Sequence, residues 1–129
     1  AGQRGWPQGA PAPARAHLEL FARKRAIVIP VNIGVRRGCR YSLRTLTPTG
    51  VIEIGRRGLT VGDFFSVWRM PAVNRRLLSF RGPVRAWVNG RPRAGDPARI
   101  VLRDRDQVVL VHGGDVPVHA SFAFKPVRL

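Results

Sequence analysis

Three histidines, one cysteine and seven carboxylates are the side chains of this 129-residue chain best suited to acid–base, nucleophilic or metal chemistry. General acid–base catalysis needs such groups placed in matched sets, and few are available here. The sequence contains no G-x-S-x-G elbow, P-loop, dinucleotide fingerprint or H-E-x-x-H motif. His112 and His119 stand around a Gly-Gly-Asp turn without the spacing of a ligand pair. We therefore expect a non-enzymatic protein without a cofactor.

Cys39 and a short acidic stretch are the two places where reactive groups lie beside arginines. Arg37 and Arg40 are close to Cys39 in sequence and would favour its thiolate. No histidine lies nearby and no second cysteine exists, so we expect a small packing residue or a free thiol. Asp104 and Asp106 alternate with arginines, which is typical of a tight turn rather than of paired catalytic carboxylates.

The charge balance is strongly basic, with 23 lysines and arginines against seven acids and a net charge of +16. All but two of the cations are arginines, and several occur as doublets spread along the chain. Guanidinium groups pair with carboxylates and phosphates, which indicates an acidic or anionic partner. A coding bias toward Arg, Ala, Gly and Pro is the plain alternative. The candidate partner-binding residues are Trp6, Arg36, Arg37, Arg40, Arg56, Arg57, Arg75 and Arg76.

The sequence motifs around these arginines help to decide between nucleic acid and other anionic partners. The sequence has no aromatic-rich RNA-binding signature, paired Cys/His finger or basic helical stripe, so nucleic acid is the second choice. An acidic protein surface, an anionic envelope polymer or a lipid headgroup fits at least as well. No stretch of apolar residues is as long as the about eighteen residues that a membrane-spanning helix needs. We expect a protein or an anionic envelope component as partner, within a larger assembly or a homo-oligomer.

The beginning of the chain differs in composition from the rest. Residues 1–14 are rich in Gly, Ala and Pro, which predicts an extended arm ahead of one β-rich domain over residues 15–129. Trp6 is expected to be buried, because a large indole in such an arm needs a groove. The chain begins at Ala1 without Met, which fits either a mature protein whose leader has been removed or a trimmed start. With the leader removed, the expected location is the secreted space or the bacterial cell envelope.

Alternating β-rich runs predict the strands of the domain. Residues 17–21 and 26–30 are expected to form a hairpin around a polar turn, followed by a short extended piece at 32–35. Two further runs, residues 40–46 and 51–55, flank the turn sequence Thr-Pro-Thr-Gly and predict a second, inserted hairpin.

One helix is predicted after these strands. Thr60 is its N-cap, Asp63 its capping-box partner, and Pro71 limits its length. Its buried face is expected from Phe64, Phe65, Val67 and Trp68, with Trp87 near the rim.

The C-terminal third is predicted to contain two more hairpins. Residues 84–88 lead to Asn89 and Gly90, the strongest short hairpin signal in the chain. Residues 100–102 and 108–111 are expected to pair with each other, and residues 121–124 to add an edge strand.

This order of elements resembles the β-grasp fold of ubiquitin-like and sulfur-carrier proteins. The predicted fold class is α+β and mostly β, a mixed sheet with one short helix and an inserted β-hairpin. The carriers end in Gly-Gly, whereas Gly113 and Gly114 here are followed by fifteen residues, so a carrier role is not expected.

A second resemblance covers nearly the whole domain. Five segments match, in order, the pattern of a family of uncharacterised bacterial secreted or lipoprotein-type domains. They are H-L-E-L-F at 17–21, I-P-V-N-I-G-V at 29–35, T-G-V-I-E-I at 49–54, L-T-V-G-D-F-F-S-V-W at 59–68 and W-V-N-G-R-P-R-A-G-D-P-A-R-I-V-L at 87–102.

The family pattern also implies histidine clusters, H-x-H and H-T-H-D-x-x-G-[IV]-I-H, of the kind that hold a divalent metal. The corresponding former metal-site positions in this chain are Arg15, His17, Arg44, Leu46 and Glu53. One imidazole and one carboxylate beside a cation do not hold zinc or copper tightly, so no metal is predicted and His17 is expected to be structural. An envelope metal-handling protein acting through His17 and Cys39 is the weaker alternative.

Across a four-residue turn, Arg44 should lie directly opposite Glu53 and form an ion pair, with Leu46 filling the space of a second ligand. The alternative is that Arg44 and Glu53 point apart as unrelated surface charges. The predicted function is a non-enzymatic binding, structural or accessory domain of the cell envelope or secreted space that docks to an acidic or anionic partner. A basic nucleic-acid-binding domain is the runner-up, and salt-dependent binding to unrelated duplexes would distinguish it.

Overall fold

The computed structural model describes residues 14–36, 39–40, 43–71, 73 and 75–124, with the backbone alone at residues 36, 39 and 40. Residues 1–13, with Trp6, therefore lie outside the described residues. One α-helix, α1 (Val61–Trp68), and a single 3-10 turn (Pro97–Arg99) are described. The described strands are β1 (Ala14–Ala22), β2 (Arg25–Ile27), β3 (Val35–Arg36), β4 (Cys39–Arg40), β5 (Leu43–Arg44), β6 (Val51–Ile54), β7 (Arg76–Leu77), β8 (Phe80–Arg81), β9 (Val84–Val88), β10 (Arg91–Arg93) and β11 (Gln107–His112).

Seven of these strands form one mixed sheet in the order β10-β9-β11-β1-β6-β5, with β2 also paired to β1. The central pair, β1 and β11, is parallel, and the neighbouring pairs are antiparallel. The first half of β1 pairs with β6 and the second half with β2. The α+β, mostly β class is thus confirmed, with a mixed sheet, one short helix and the inserted hairpin of β5 and β6. Two separate two-stranded ribbons, β3–β4 and β7–β8, complete the described strands.

The inner face of the sheet, defined as the face that packs against α1, carries the apolar core. Alternate residues of β1, Ala16, Leu18 and Leu20, are buried in one cluster with Phe64 and Phe65 of α1. Each large apolar side chain that leaves water contributes about 1.5–3 kcal/mol. Since successive strand residues point to opposite faces, the residues between them on β1 lie on the other side of the sheet, called the outer face below.

The helix begins and ends as its local sequence dictates. The Thr60 hydroxyl accepts from the Asp63 N–H at 3.1 Å, and the Asp63 carboxylate accepts from the Thr60 N–H at 2.9 Å. This is the predicted capping box. The chain leaves the helix at Arg69, whose φ of 62° is left-handed, two residues before Pro71. The predicted face is confirmed for Phe64, Phe65 and Val67, with Trp68 partly buried, and Val61 is a further buried member.

Two predicted hairpins are confirmed by their strand register. In the first, β1 and β2 pair around Arg23 and Lys24, both with positive φ. In the second, β9 and β10 pair around Asn89 and Gly90, again with positive φ at both turn residues. Two successive positive φ values are typical of the turn that matches strand twist in a two-residue hairpin.

The predicted hairpin of residues 100–102 with 108–111 is wrong. Strand β11 pairs with β1 on one side and β9 on the other, so both of its edges are occupied. Residues 100–102 instead run beside the start of the helix, where the Leu102 N–H donates to Leu59 C=O at 2.8 Å and the Val61 N–H to Ile100 C=O at 2.9 Å. Strand β11 takes a central position in the sheet because both edges of this apolar strand are then hydrogen-bonded, one to β1 and the other to β9.

Four smaller expectations also need correction. Ala14, assigned to the arm, is the first residue of β1. Residues 32–34 turn instead of extending, with positive φ at Asn32 and Gly34. The expected edge strand at 121–124 is not formed, and these residues lie in an irregular segment over the outer face. Trp87 faces outward because its neighbour Ala86 points into the core.

Candidate functional site

Four of the five positions that the family resemblance marks as former metal ligands lie in neighbouring strands, and the fifth, Leu46, lies just beyond β5. Arg15 of β1 is directly opposite Glu53 of β6, and Glu53 is directly opposite Arg44 of β5. His17 stands two residues along β1 from Arg15 and is paired with Val51. Since residues two apart on a strand share a face, Arg15 and His17 both lie on the outer face. The fold thus brings together positions that the sequence separates by up to 38 residues.

The predicted ion pair between Arg44 and Glu53 is confirmed. The Arg44 Nε donates to Glu53 Oε1 at 2.7 Å, and the arginine is only 3% exposed. The surrounding register is also as predicted, because Leu43 lies opposite Ile54. An exposed pair of this kind contributes little, but a buried guanidinium depends on its hydrogen-bonded partners. The pair therefore fixes β5 to β6 more firmly than the sequence alone indicated.

Leu46 behaves differently from the prediction. It is 47% exposed, so it does not fill the interior space of a lost ligand. It instead lines a small cavity of about 220 Å³ together with Arg15, Glu53 and Phe122. The residue lies just beyond β5, where the chain turns away from the sheet, and no strand neighbour covers it.

His17 is held on three sides. Its Nε2 donates to the Thr49 carbonyl at 2.7 Å, its Nδ1 lies 2.6 Å from Gln107 Oε1, and its ring stacks on Phe122 at 3.7 Å between centroids. The side chain is 6% exposed. A metal ion at His17 would have to displace one of these two hydrogen bonds. The geometry matches the structural role expected for this histidine.

A polar chain continues from His17 to the surface. The Gln107 amide nitrogen donates to Glu19, and Glu19 also accepts from His119 Nδ1 at 3.1 Å. Gln107 is fully buried, whereas His119 is exposed. Ser121 lies near His119, but in the part of the chain that the structure describes it makes no hydrogen bond to that ring. The contact between the Glu19 carboxylate and the His119 imidazole thus joins residues 113–124 to the sheet. Within the described residues, no hydroxyl nucleophile is hydrogen-bonded to this imidazole.

The covering segment, residues 113–124, is the feature of the outer face that sequence reasoning missed. It is held by an ion pair from Arg85 to Asp115 at 2.6 Å, by the contacts of His119 and Phe122, and by Arg15 over the Phe124 ring at 5.6 Å. The alternation of Phe122 and Phe124 predicts an edge strand. In the structure, the same alternation places the Phe122 ring on His17 and the Phe124 ring under Arg15.

Further histidine and aspartate side chains among the described residues also form hydrogen bonds within the fold, whereas the Cys39 side chain lies outside the described part. His112 lies at the end of β11, whereas His17 on β1 is opposite its start. The His112 Nε2 donates to the Arg81 carbonyl at 2.7 Å. Asp104 accepts from the Arg15 N–H at 3.0 Å and Asp106 from the Asn89 amide at 3.0 Å, as expected of turn residues. Within the described ranges, no group of three or more His, Cys, Asp or Glu side chains is placed to hold a metal ion.

All seven side-chain carboxylates accept a hydrogen bond or form an ion pair with another group of the same chain. Two lie on the outer face, two cap helical turns, two fix the turn before β11, and one pairs with Arg85; they are Glu19, Glu53, Asp63, Asp96, Asp104, Asp106 and Asp115. Among the described residues, two arginine–carboxylate ion pairs form, those of Arg44 and Arg85. The other exposed arginines therefore have little acidic compensation from their own chain.

The candidate partner-binding residues are distributed over separate elements. Trp6 and Arg37 lie outside the described residues, and Arg36 and Arg40 belong to the β3–β4 ribbon. The other candidates fall in two places: Arg56 and Arg57 are exposed after β6, whereas Arg75 is exposed and Arg76 half-buried at β7. Arg56 and Arg57 line a different cavity from Arg75.

One doublet nevertheless gains a third arginine from a distant part of the chain. Arg56, Arg57 and Arg103 line a cavity of about 550 Å³, called the arginine groove here. Its floor is aliphatic, formed by Ala14, Ile54, Val101 and Leu102. The pairing of residues 100–102 beside the helix start brings Arg103 to this place. The sequence does not reveal the position of Arg103, because it predicts that residues 100–102 pair with residues 108–111.

Comparison with protein-family models, with curated proteins and with solved structures found no match to this chain. The resemblance to the bacterial secreted or lipoprotein-type domains therefore stays a prediction. Among the described residues, no helix combines the length and the apolar character needed to cross a bilayer.

Proposed function

We propose that this chain is a non-enzymatic binding domain that docks to an acidic partner through its exposed arginines. The observation that carries the proposal is the use of all seven carboxylates within the fold. A net charge of +16 then reaches the surface with few internal counterions. Such a surface attracts and orients molecules of the opposite charge.

The absence of catalysis in this proposal is supported by what the histidines do. Both ring nitrogens of His17 lie within hydrogen-bonding distance of a protein oxygen, His112 donates to a backbone carbonyl, and His119 is turned toward Glu19. Each imidazole thus has a place in the packing of the sheet. A location in the bacterial cell envelope or secreted space, expected from the sequence and from the family resemblance, is part of the same proposal.

An acidic protein is favoured over single-stranded nucleic acid because the aromatic rings that lie beside described arginines are covered by those arginines. Described arginine–aromatic contacts join Arg15 to Phe124, Arg23 to Phe80 and Arg85 to Trp87, each within the protein itself. Single-stranded nucleic acid is bound on free aromatic platforms beside a continuous basic groove.

The test compares two polyanions on the full chain. Binding of polyglutamate and of a DNA duplex of unrelated sequence is measured by fluorescence anisotropy over a series of salt concentrations near physiological ionic strength. We expect polyglutamate to bind more tightly at each salt concentration. Tighter duplex binding with a steep salt slope would overturn the proposal in favour of the nucleic-acid function. Elemental analysis of the same preparation tests the metal-handling alternative, and stoichiometric zinc or copper would support that alternative.

A further inference from the structure

We infer that the arginine groove, the cavity lined by Arg56, Arg57 and Arg103, binds an acidic peptide segment that carries an aliphatic side chain between its carboxylates. This inference rests on the proposed function and assigns it to one place on the surface. The groove encloses about 550 Å³, which is within the size range of ligand sites.

The rim of the groove supplies charge. All three arginines are exposed, and in the described part of the chain they make no ion pair with a carboxylate. Asp104 is the acid that lines the same cavity, and its carboxylate accepts from the Arg15 N–H. The groove therefore presents an excess of guanidinium groups, which pair readily with carboxylates.

The floor of the groove supplies apolar contact. Ala14 and Val101 are half-buried and offer the apolar surface, whereas Ile54 and Leu102, at 2% and 3% exposure, close the groove from the core side. No aromatic side chain lines the cavity among the described residues. A nucleic acid would find no platform for base stacking there, whereas a leucine or valine side chain would cover the floor. An extended acidic peptide with an interspersed aliphatic residue satisfies both the rim and the floor.

The occupant must come from another kind of molecule. The side-chain carboxylates of this chain already accept hydrogen bonds or ion pairs from their own fold, so a second copy offers little negative charge. Residues 1–13, which precede Ala14 at the groove, contain one charged side chain, Arg4, and it is a cation. Neither source supplies carboxylates to the rim.

The groove is held open by backbone bonds that do not involve the three arginine side chains. The Leu102 N–H donates to Leu59 C=O at 2.8 Å, and the Arg105 N–H donates to Arg15 C=O at 2.7 Å. Gly58, at a φ of 85°, lies beside the cavity with open space around it. Replacing the arginines should therefore remove charge without collapsing the site.

The experiment uses the full chain and a fluorescein-labelled octapeptide of six glutamates with leucine at its third and sixth places. The groove variant carries Arg56→Ser, Arg57→Ser and Arg103→Ser. The matched control carries Arg81→Ser, Arg91→Ser and Arg93→Ser, which are exposed and outside the groove. Both variants lower the net charge by three. Thermal melting of each protein checks that the fold is retained.

At physiological salt we expect about tenfold weaker peptide binding by the groove variant, because three exposed charge pairs are lost. The control should stay within about twofold, since charges beyond about 8 Å are screened. A peptide with serine in place of leucine should bind the parent protein several-fold more weakly. Equal weakening in both variants would overturn the groove while leaving the proposed function in place. Failure of the parent to bind either acidic peptide, with retained duplex binding, would overturn both. Equal binding of the serine peptide would overturn the role of the aliphatic floor.

Discussion

The two faces of the central sheet are built from different interactions although they share the same strands. The inner face is apolar and is covered by α1, with Phe64 and Phe65 fully buried. The outer face holds His17, Glu53 and a set of directed hydrogen bonds, and is covered by the irregular segment of residues 113–124. Non-directional burial stabilises the inner face, whereas the outer face depends on particular pairs.

This difference shows how one strand can serve two purposes. Leu18 and Leu20 of β1 contribute to the core, while His17 and Glu19 hold the C-terminal covering segment. The arginine groove lies at the end of the sheet where β1 begins and β6 ends. Charges are paired on the outer face and left uncompensated at the groove, which is why the groove rather than the face is assigned to binding.

The largest expected effect tests the inner face. Phe64→Ala should lower the free energy of unfolding by about 3–5 kcal/mol, because it removes a fully buried ring and leaves a cavity. Urea denaturation measures the change. Ser66→Ala, on the exposed side of the same helix, is the control and should change little. A Phe64→Ala variant as stable as the parent would mean that α1 does not cover the core.

A smaller effect is expected from the buried pair on the outer face. Glu53→Gln keeps the shape but removes the negative charge that compensates the buried Arg44, and weakening this charge-assisted hydrogen bond should cost about 1.5–3 kcal/mol. The exposed pair of Arg85 with Asp115 is the matched control, and Asp115→Asn should cost at most about 0.5 kcal/mol. Chemical denaturation of both variants gives the comparison. Equal costs would show that burial does not distinguish the two pairs.

The cover of the outer face should contribute less again. Phe122→Ala should lose about 0.5–1.5 kcal/mol from the stacked ring pair with His17. The ring-proton chemical shifts of His17, followed by NMR, should move at the same time. Phe122→Leu retains apolar area without the aromatic ring and separates burial from stacking. Unchanged His17 shifts in Phe122→Ala would contradict the stacking arrangement.

The smallest effect is expected at Leu46, which the family resemblance marks as a ligand position and which is 47% exposed. Leu46→Ser should change the free energy of unfolding by no more than about 0.5 kcal/mol, as at an ordinary surface site. A thermal melt beside that of Glu53→Gln is sufficient to compare the two positions. A loss well above 1 kcal/mol would restore the idea that Leu46 fills a buried space.

Predictions from sequence were accurate where a few neighbouring residues decide the geometry. The Asn89 and Gly90 turn, the Thr60 capping box and the register that faces Arg44 with Glu53 all follow from local backbone rules. Part of the site was available in the same way, since the Arg56 and Arg57 doublet is visible in the sequence. Its third arginine was not, because Arg103 reaches the groove through the pairing of residues 100–102.

The sequence by itself therefore determined the alternation of the strands, the ends of the helix, the inserted hairpin and the excess of positive charge. Only the tertiary structure decided that β11 lies between β1 and β9, that residues 113–124 cover His17, and that Arg103 joins Arg56 and Arg57. Local turns and caps are fixed by steric limits and hydrogen bonds within a few residues. Pairing between distant segments is a competition among several edges and faces, and its outcome depends on which arrangement buries the most apolar surface with every backbone group bonded.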